Sequence, residues 1–285
     1  MQVGLFITCL TDTFYPRAGI AAVKVLEKLG CTVAFPPAQT CCGQPMYNNG
    51  FHREAADLAR RMIDVFEPFE HVVTPSGSCA ATVHEHFPAL LADDPRYAAK
   101  ARHLAERTHE LHAFLVRVLK VDLRAMGVTW RGRVTYHYAC HQRGLGLKSP
   151  AVADRIDTAA PPLRDGSPMS PESDPAVQLM RQIEGLEYVQ LPRADQCCGF
   201  GGTFATKMPM ISGAMVRDKV QCIASTAAAT CVSNEGGCTM NIAGAARREG
   251  VDVRFLTLAE IIAEGMGLMD ASVDTTESQR HGVQA

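Results

Sequence analysis

Eight of the eleven cysteines in this chain fall into two copies of one pattern. The first copy is Cys9, the doublet Cys41-Cys42 followed by Gly43, and Cys79; the second is Cys140, the doublet Cys197-Cys198 followed by Gly199, and Cys238. Thiolate sulfur is a soft donor, suited to zinc and to iron–sulfur clusters. A cubane cluster takes four such ligands, and each copy offers four. The glycine after each doublet has a physical reading as well. Without a Cβ it lets backbone N–H groups approach the sulfurs, and hydrogen bonds of that kind help set a cluster's potential. Gly199-Phe200-Gly201-Gly202 extends such a surface in the second copy. The alternative is that the thiols are simply buried, since Cys is among the most buried residue types. That reading suits Cys31, Cys222 and Cys231, which lie at or in apolar strand-like runs or on a helical pattern.

The elements that must carry these cysteines also repeat. In the first half, strand-like runs at Val3–Thr8, Thr32–Phe35 and His71–Thr74 precede Cys9, Cys41-Cys42 and Cys79, with helical patterns over Gly19–Leu29 and His52–Phe66. In the second half, runs at Val134–Tyr138, Tyr188–Leu191 and Thr230–Ser233 precede Cys140, Cys197-Cys198 and Cys238. A helix over Ile211–Ala224, a last strand over Val253–Leu256 and a helix over Leu258–Met266 follow. The strand-like runs are short and continuously apolar rather than alternating, which indicates buried parallel strands between helices. The expected fold is α/β: two pseudo-symmetric lobes, each a short, mainly parallel sheet flanked by helices, with the metal sites at strand ends, where open α/β sheets gather their sites.

The boundaries expected are 1–125 for the first lobe with connecting helices and 126–269 for the second, leaving 270–285 as a polar tail. The segment Leu91–Trp130 reads as helical and joins the halves. The interval from Cys9 to Cys41 is 32 residues, whereas that from Cys140 to Cys197 is 57. Residues 158–175, rich in Pro, Ser and Asp, account for the excess as a surface loop inserted in the second copy.

With 285 residues and 47% hydrophobic content, the chain can build a core without disulfide staples. Its formal net charge is −2 and no like-charge block stands out, which points away from nucleic acid and anionic membranes. The N-terminus lacks a basic leader and no run is long enough to span a membrane. A soluble, cytoplasmic protein is therefore expected. In that compartment thiols stay reduced, and an odd number of cysteines speaks for metal or redox chemistry over a disulfide framework. There is no P-loop, G-x-S-x-G or H-E-x-x-H motif, and Gly199-Phe200-Gly201-Gly202 lacks the dinucleotide-binding spacing. No catalytic residue is identified. His84, His86, His137 and His141 lie near the motifs; His141 adjoins Cys140 and could donate to a cluster sulfur or relay a proton, and Arg143 could offset cluster charge.

The doubled pattern resembles the cysteine-rich CCG domain family, which includes a cysteine-rich component of heterodisulfide reductase, the iron–sulfur components of glycolate oxidase and anaerobic glycerol-3-phosphate dehydrogenase, and the lactate-utilisation protein A group. The segments Gly4-Leu5-Phe6-Ile7-Thr8-Cys9, Gln39-Thr40-Cys41-Cys42-Gly43-Gln44-Pro45, Tyr136-His137-Tyr138-Ala139-Cys140-His141 and Cys197-Cys198-Gly199-Phe200-Gly201-Gly202-Thr203-Phe204 are most similar to that last group. The chain also lacks an N-terminal pair of ferredoxin motifs. The resemblance implies an iron–sulfur electron-transfer subunit of a complex that oxidises L-lactate to pyruvate. It implies one or two [4Fe–4S] clusters, and as partners a ferredoxin-like iron–sulfur subunit and a third small subunit. The family motif ends in Cys-x-x-Cys, but here the first of those positions is Ser76 in one copy and Glu235 in the other. Ser76 reads as a turn residue and Glu235 as a solvated acid, with an oxygen ligand from either as the alternative. Zinc at one or both sites, making the chain a scaffold, and heterodisulfide-reductase-like thiol–disulfide chemistry stand as alternatives.

Overall fold

The computed structural model describes residues 1–145, 174–194 and 196–271. Two four-stranded sheets organise the chain. β1 (Gln2–Leu5), β2 (Thr32–Ala34), β3 (His71–Thr74) and β4 (Thr108–Glu110) form the first, in the order β2-β1-β3-β4. β5 (Thr129–His137), β6 (Glu184–Val189), β7 (Thr230–Ser233) and β8 (Arg254–Leu256) form the second, in the order β6-β5-β7-β8. Every pairing is parallel, and the topologies are the same. The central strands β3 and β7 are buried along nearly their whole length, because helices cover both faces.

The segment Leu91–Trp130 is not helical throughout, in contrast to the reading of the sequence. It contains β4, which pairs with β3 at Val72↔Thr108, Val73↔His109 and Thr74↔Glu110 and completes the first sheet. Thr-His-Glu carries no apolar strand signal; only the neighbouring strand makes it one. Most of the expected 158–175 insert lies outside the described residues. Its last two residues are not loop, since Asp174 caps and Pro175 opens a helix, Pro175–Met180. Of the expected tail 270–285, all but Asp270 and Ala271 lies outside the described residues, as does the side chain of Arg143.

Each lobe has apolar packing of its own. Phe6, Met62, Ile63, Phe66, Phe87 and Leu104 belong to the first lobe, and Leu191, Val216, Val220, Ile223 and Ile242 to the second. A third cluster crosses between them, joining Val3, Leu5 and Val25 to Val134, Tyr136 and Ile261. On its rim the helix Pro16–Lys28 meets the helix Leu258–Gly265, where Arg17 pairs with Glu264 at 3.0 Å and with Glu260 at 3.4 Å.

Buried beside that shared core, Asp174 accepts N–H bonds from Ala176 at 2.8 Å and Val177 at 3.3 Å as the cap of its helix. Its second oxygen has no partner among the described residues, and burial pushes its pKa from 3.8 up to about 6. A carboxyl group with a raised folded pKa favours the folded state while protonated and loses that advantage as pH rises. Stability is therefore expected to fall between about pH 4 and pH 6, by up to about 3 kcal/mol for a shift of about two units. Asp174→Asn keeps a good cap and should flatten that part of the curve. Denaturant melts of both proteins from pH 4 to 8 check this, and unchanged pH dependence in the variant would refute it.

Candidate metal centres

In each repeat the four cysteines arrive from three separate places. Cys9 opens the helix Cys9–Phe14 just beyond β1, and Cys140 opens the 3₁₀ turn Cys140–Leu145 just beyond β5. Cys79 and Cys238 are the third residues of the helices Gly77–Ala81 and Gly236–Arg248, which follow β3 and β7. Helix N-termini carry partial positive charge, which favours thiolate over thiol. The doublets leave β2 and β6 and are tied down from several sides. Gln39 accepts from the N–H of Ile7 at 2.9 Å and donates to the carbonyl of Leu5 at 3.2 Å, holding the first doublet's loop to the end of β1. Asn241 donates to the carbonyl of Cys198 at 2.9 Å, and Ser212 to that of Gly199 at 2.7 Å.

The outcome is two four-sulfur groups. In the first, Cys9 Sγ lies 3.8 Å from Cys41 Sγ and Cys42 Sγ lies 3.3 Å from Cys79 Sγ, while Cys41 also shares a hydrogen bond with Cys42. In the second, Cys197 shares hydrogen bonds with Cys140 and Cys198, and Cys198 with Cys238; all are free thiols. Cys42, Cys79, Cys198 and Cys238 are buried, Cys41, Cys140 and Cys197 half-buried, and Cys9 exposed, so each group runs from the interior to the surface. Thiol donors from Cys42 and Cys9 hold Cys41 down to about 3, and donors from Cys140 and Cys198 hold Cys197 down to about 2. The partners move in the opposite sense: their bonds to those thiolates push Cys9, Cys42 and Cys198 upward. A soft cation bound by such a group would take the place of its thiol protons.

Backbone amides face the sulfurs as well. The N–H of Gly199 donates to Cys197 Sγ at 3.4 Å, that of Phe200 to Cys198 Sγ at 3.5 Å, and that of Gly43 to Cys41. These amides are in place because Gly43 and Gly199 turn with φ of +84° and +80°, a region that L side chains rarely adopt. The two are not equally crowded. A Cβ at Gly199 would stand 2.8 Å from the Ser212 carbonyl oxygen, whereas at Gly43 the nearest atom is 3.5 Å away. Gly43→Ala should then cost about 1 kcal/mol from the left-handed backbone alone, and Gly199→Ala about 2–4 kcal/mol with the backbone clash added. Thermal melts of the two variants compare them; equal losses would show that the clash is relieved.

Other expected residues fall into place or out of it. His141 Nδ1 is 3.6 Å from Cys140 Sγ. Gly201 turns with φ of +51° directly after Phe200, whose amide donates to Cys198 Sγ. His84 contacts the carbonyl of Thr108 at 2.7 Å, and His86 stacks on Tyr47 at 3.8 Å. Cys31 and Cys231 are buried in packing, and Cys222 lies 3.3 Å from Arg193 Nη2, none within either group. His137 is fully buried, and one of its ring nitrogens shares a sphere of 4.8 Å with Cys198 and Cys238 Sγ. Burial, reinforced by the charge of Lys219, lowers its pKa to about 3, so it is neutral.

The two departures from the family motif meet one another. Ser76 Oγ donates to the Glu235 carboxylate at 3.0 and 3.2 Å, and the N–H of Ser78 donates to it at 2.9 Å. Glu235 is thus not the solvated acid expected. It supplies the acceptor at the N-terminus of the other repeat's helix, and burial raises its pKa. Ser76 caps that helix by accepting from the N–H of Cys79 at 3.4 Å. Each repeat's first-cysteine turn also lies against the other repeat's third-cysteine helix: Gln142 covers Gly77, where a Cβ would come within 2.6 Å, and Leu10 covers Gly236 and Gly237. Both sulfur groups therefore sit beside the junction of the lobes.

This duplicated arrangement agrees with comparison to known proteins. The sequence profile of the cysteine-rich CCG domain matches residues 3–84 and 164–243. The chain belongs to the CCG family. The second match begins after Cys140, which the fold nevertheless returns to its group. Relatives of this CCG protein include lactate utilization protein A of Anoxybacillus flavithermus, 42% identical over 92% of this chain and 99% of that one. Those of Macrococcus caseolyticus and Geobacillus kaustophilus are 44% and 43% identical over 92% of this chain and 96% and 98% of theirs. Among the described residues no helix is long and apolar enough to cross a membrane.

Proposed function

We propose that this CCG protein is the iron–sulfur electron-carrying subunit of a cytoplasmic system that oxidises L-lactate to pyruvate. In this reading Cys9, Cys41, Cys42 and Cys79 hold one [4Fe–4S] cluster, and Cys140, Cys197, Cys198 and Cys238 hold the other. The observation that carries it is the convergence of four chain-distant cysteines, twice, into sulfur groups with backbone N–H donors. The fit rests on donor chemistry: all-thiolate sets, with Cys9, Cys79 and Cys238 in the first turns of helices, suit a soft, electron-rich centre. Each lobe already has an apolar core, so a metal is not required to hold the fold together. The partly exposed Cys9, Cys41, Cys140 and Cys197 give each group a short path to a partner's redox centre. A ferredoxin-like iron–sulfur subunit and a third small subunit are the proposed partners.

When bound, such clusters supply reversible one-electron storage. The chain's own part is to hold the thiolates and set their electronics. Gly43, Gly199 and Phe200 donate N–H groups that stabilise charge on sulfur, and His141 Nδ1 stands beside Cys140 Sγ at 3.6 Å.

One observation favours zinc instead. Four sulfurs placed about 2.3 Å from one tetrahedral ion stand about 3.8 Å apart, close to the 3.8 Å and 3.3 Å separations in the first group. A cubane requires its sulfurs to spread further. Iron, sulfide and zinc content of anaerobically purified and reconstituted protein separates the readings. About four to eight irons with matching sulfide and an EPR signal on reduction support the electron carrier. Stoichiometric zinc with no iron after reconstitution would leave a scaffold.

A further inference from the structure

The two centres are built alike but not surrounded alike. Three residues before Cys9 stands Phe6, and three before Cys140 stands His137, at equivalent places beyond or at the end of the central strands β1 and β5. Phe6 is fully buried, packs on Phe66 at 5.7 Å and belongs to the same apolar cluster as Cys42 and Cys79. In the second lobe an imidazole takes that place against Cys198 and Cys238. A second exchange accompanies it. Gly43 lies against Ala55 and Leu58, and Gly199 against Ser212 and Met215. The same offset pairs Met62 of the first lobe with Lys219 of the second, both buried.

A phenyl ring and a thioether need no partners, but an imidazole does. Both ring nitrogens of His137 are buried without a hydrogen-bond partner among the described residues. An unpaired buried polar group is costly and rare in folded proteins. Here the nearest atoms able to give it a purpose are the ligand-type sulfurs of Cys198 and Cys238, all within 4.8 Å of one another. Lys219, buried in the same lobe, donates instead to the Arg193 carbonyl at 3.1 Å. Neutral imidazole is the form that binds metals.

We propose that His137 is a ligand of the second-lobe centre, binding its metal through a ring nitrogen beside Cys198 and Cys238 at a position a thiolate would otherwise take, so that the two repeats hold unlike centres. The inference rests on the reading that the second sulfur group binds metal. Imidazole suits iron and zinc alike, and replacing thiolate character by imidazole raises an iron–sulfur potential. The second centre should therefore accept an electron before the first.

The test uses the full chain carrying Cys42→Ser, which leaves the second centre as the one observed. Metal-edge X-ray absorption, together with pulsed EPR of the reduced iron form, is compared between unlabelled protein and protein made with ¹⁵N-histidine. The expected result is a light-atom scatterer at about 2.0–2.1 Å and a strong nitrogen coupling that changes on histidine labelling. Both should be lost in His137→Phe, which reproduces the first lobe. Metal present at the second centre with sulfur as its only ligand atom, or with no histidine nitrogen coupling, would overturn the inference while leaving the metal reading intact. Absence of metal from the second centre would overturn both. His141→Gln removes the other imidazole near this centre; the coupling should survive there, and its loss would overturn the inference, so the labelling comparison stands even if His137→Phe does not fold.

Discussion

Cys198→Ser should remove close to half of the bound metal, Cys42→Ser the other half, and the double variant nearly all of it. Serine's hydroxyl is a harder and less acidic donor than a thiol, so it does not replace the soft thiolate in such a site. Altering groups that merely support metal ligands already costs about 10–100-fold in affinity or activity, and removal of a buried ligand should exceed that. Lactate-dependent electron transfer in the reconstituted system is expected to fall by more than about 100-fold for either single variant. The fold should survive, because Cys198 and Cys42 each sit within an apolar cluster of many residues. Cys31→Ala is the comparison: Cys31 is buried away from both sulfur groups and its loss should leave metal content unchanged. Metal analysis with circular dichroism of the four variants decides the matter. Full metal content in Cys198→Ser would exclude that residue as a ligand.

Glu235→Ala should have the largest effect on stability. The carboxylate accepts Ser76 Oγ–H and the Ser78 N–H across the junction of the lobes. Ser76 and Ser78 are buried, so the truncation leaves two donors without an acceptor. Each such donor costs about 1–3 kcal/mol, so about 2–6 kcal/mol in total is expected. For a chain of this size that lowers Tm by roughly 4–24 °C. A second consequence crosses the repeats. Ser76 accepts from the N–H of Cys79, and Cys79 Sγ lies 3.3 Å from Cys42 Sγ. Loosening Ser76 should therefore weaken metal binding at the first centre although Glu235 belongs to the second repeat. Glu235→Gln, which keeps one acceptor oxygen, should lie between. Calorimetry and metal affinity in a Cys198→Ser background read both effects, and unchanged affinity in Glu235→Ala would show that the cap does not position Cys79.

Much of this architecture is legible in local residue patterns. The helix His52–Phe66 and the strands His71–Thr74 and Thr230–Ser233 have the limits that their patterns indicate. Buried strands must be continuously apolar, and helices facing a sheet must carry an apolar stripe. β8 and β4 occupy equivalent places in their sheets, yet only β8 can be read, because Val253, Phe255 and Leu256 mark it while Thr108-His109-Glu110 does not. The difference lies in the side chains; the backbone pairing that defines a strand is the same in both.

The candidate centres divide in a similar way. The sequence by itself determined which sulfurs could act together, because a Cys-Cys doublet, a following glycine and two flanking cysteines recur in the same order after the same elements. It also determined the soft-donor chemistry, which depends on residue type alone. Only the tertiary structure decided what surrounds those sulfurs. Ser76 and Glu235 are 159 positions apart, and no local pattern ties a serine in one repeat to a glutamate in the other. His137 and Phe6 look equally like strand-end residues until the fold sets one against Cys198 and Cys238 and the other among phenylalanines. Burial, orphaned nitrogens and a cap shared between lobes are properties of packed neighbours, and neighbours distant in the chain are chosen by how the sheets and helices pack.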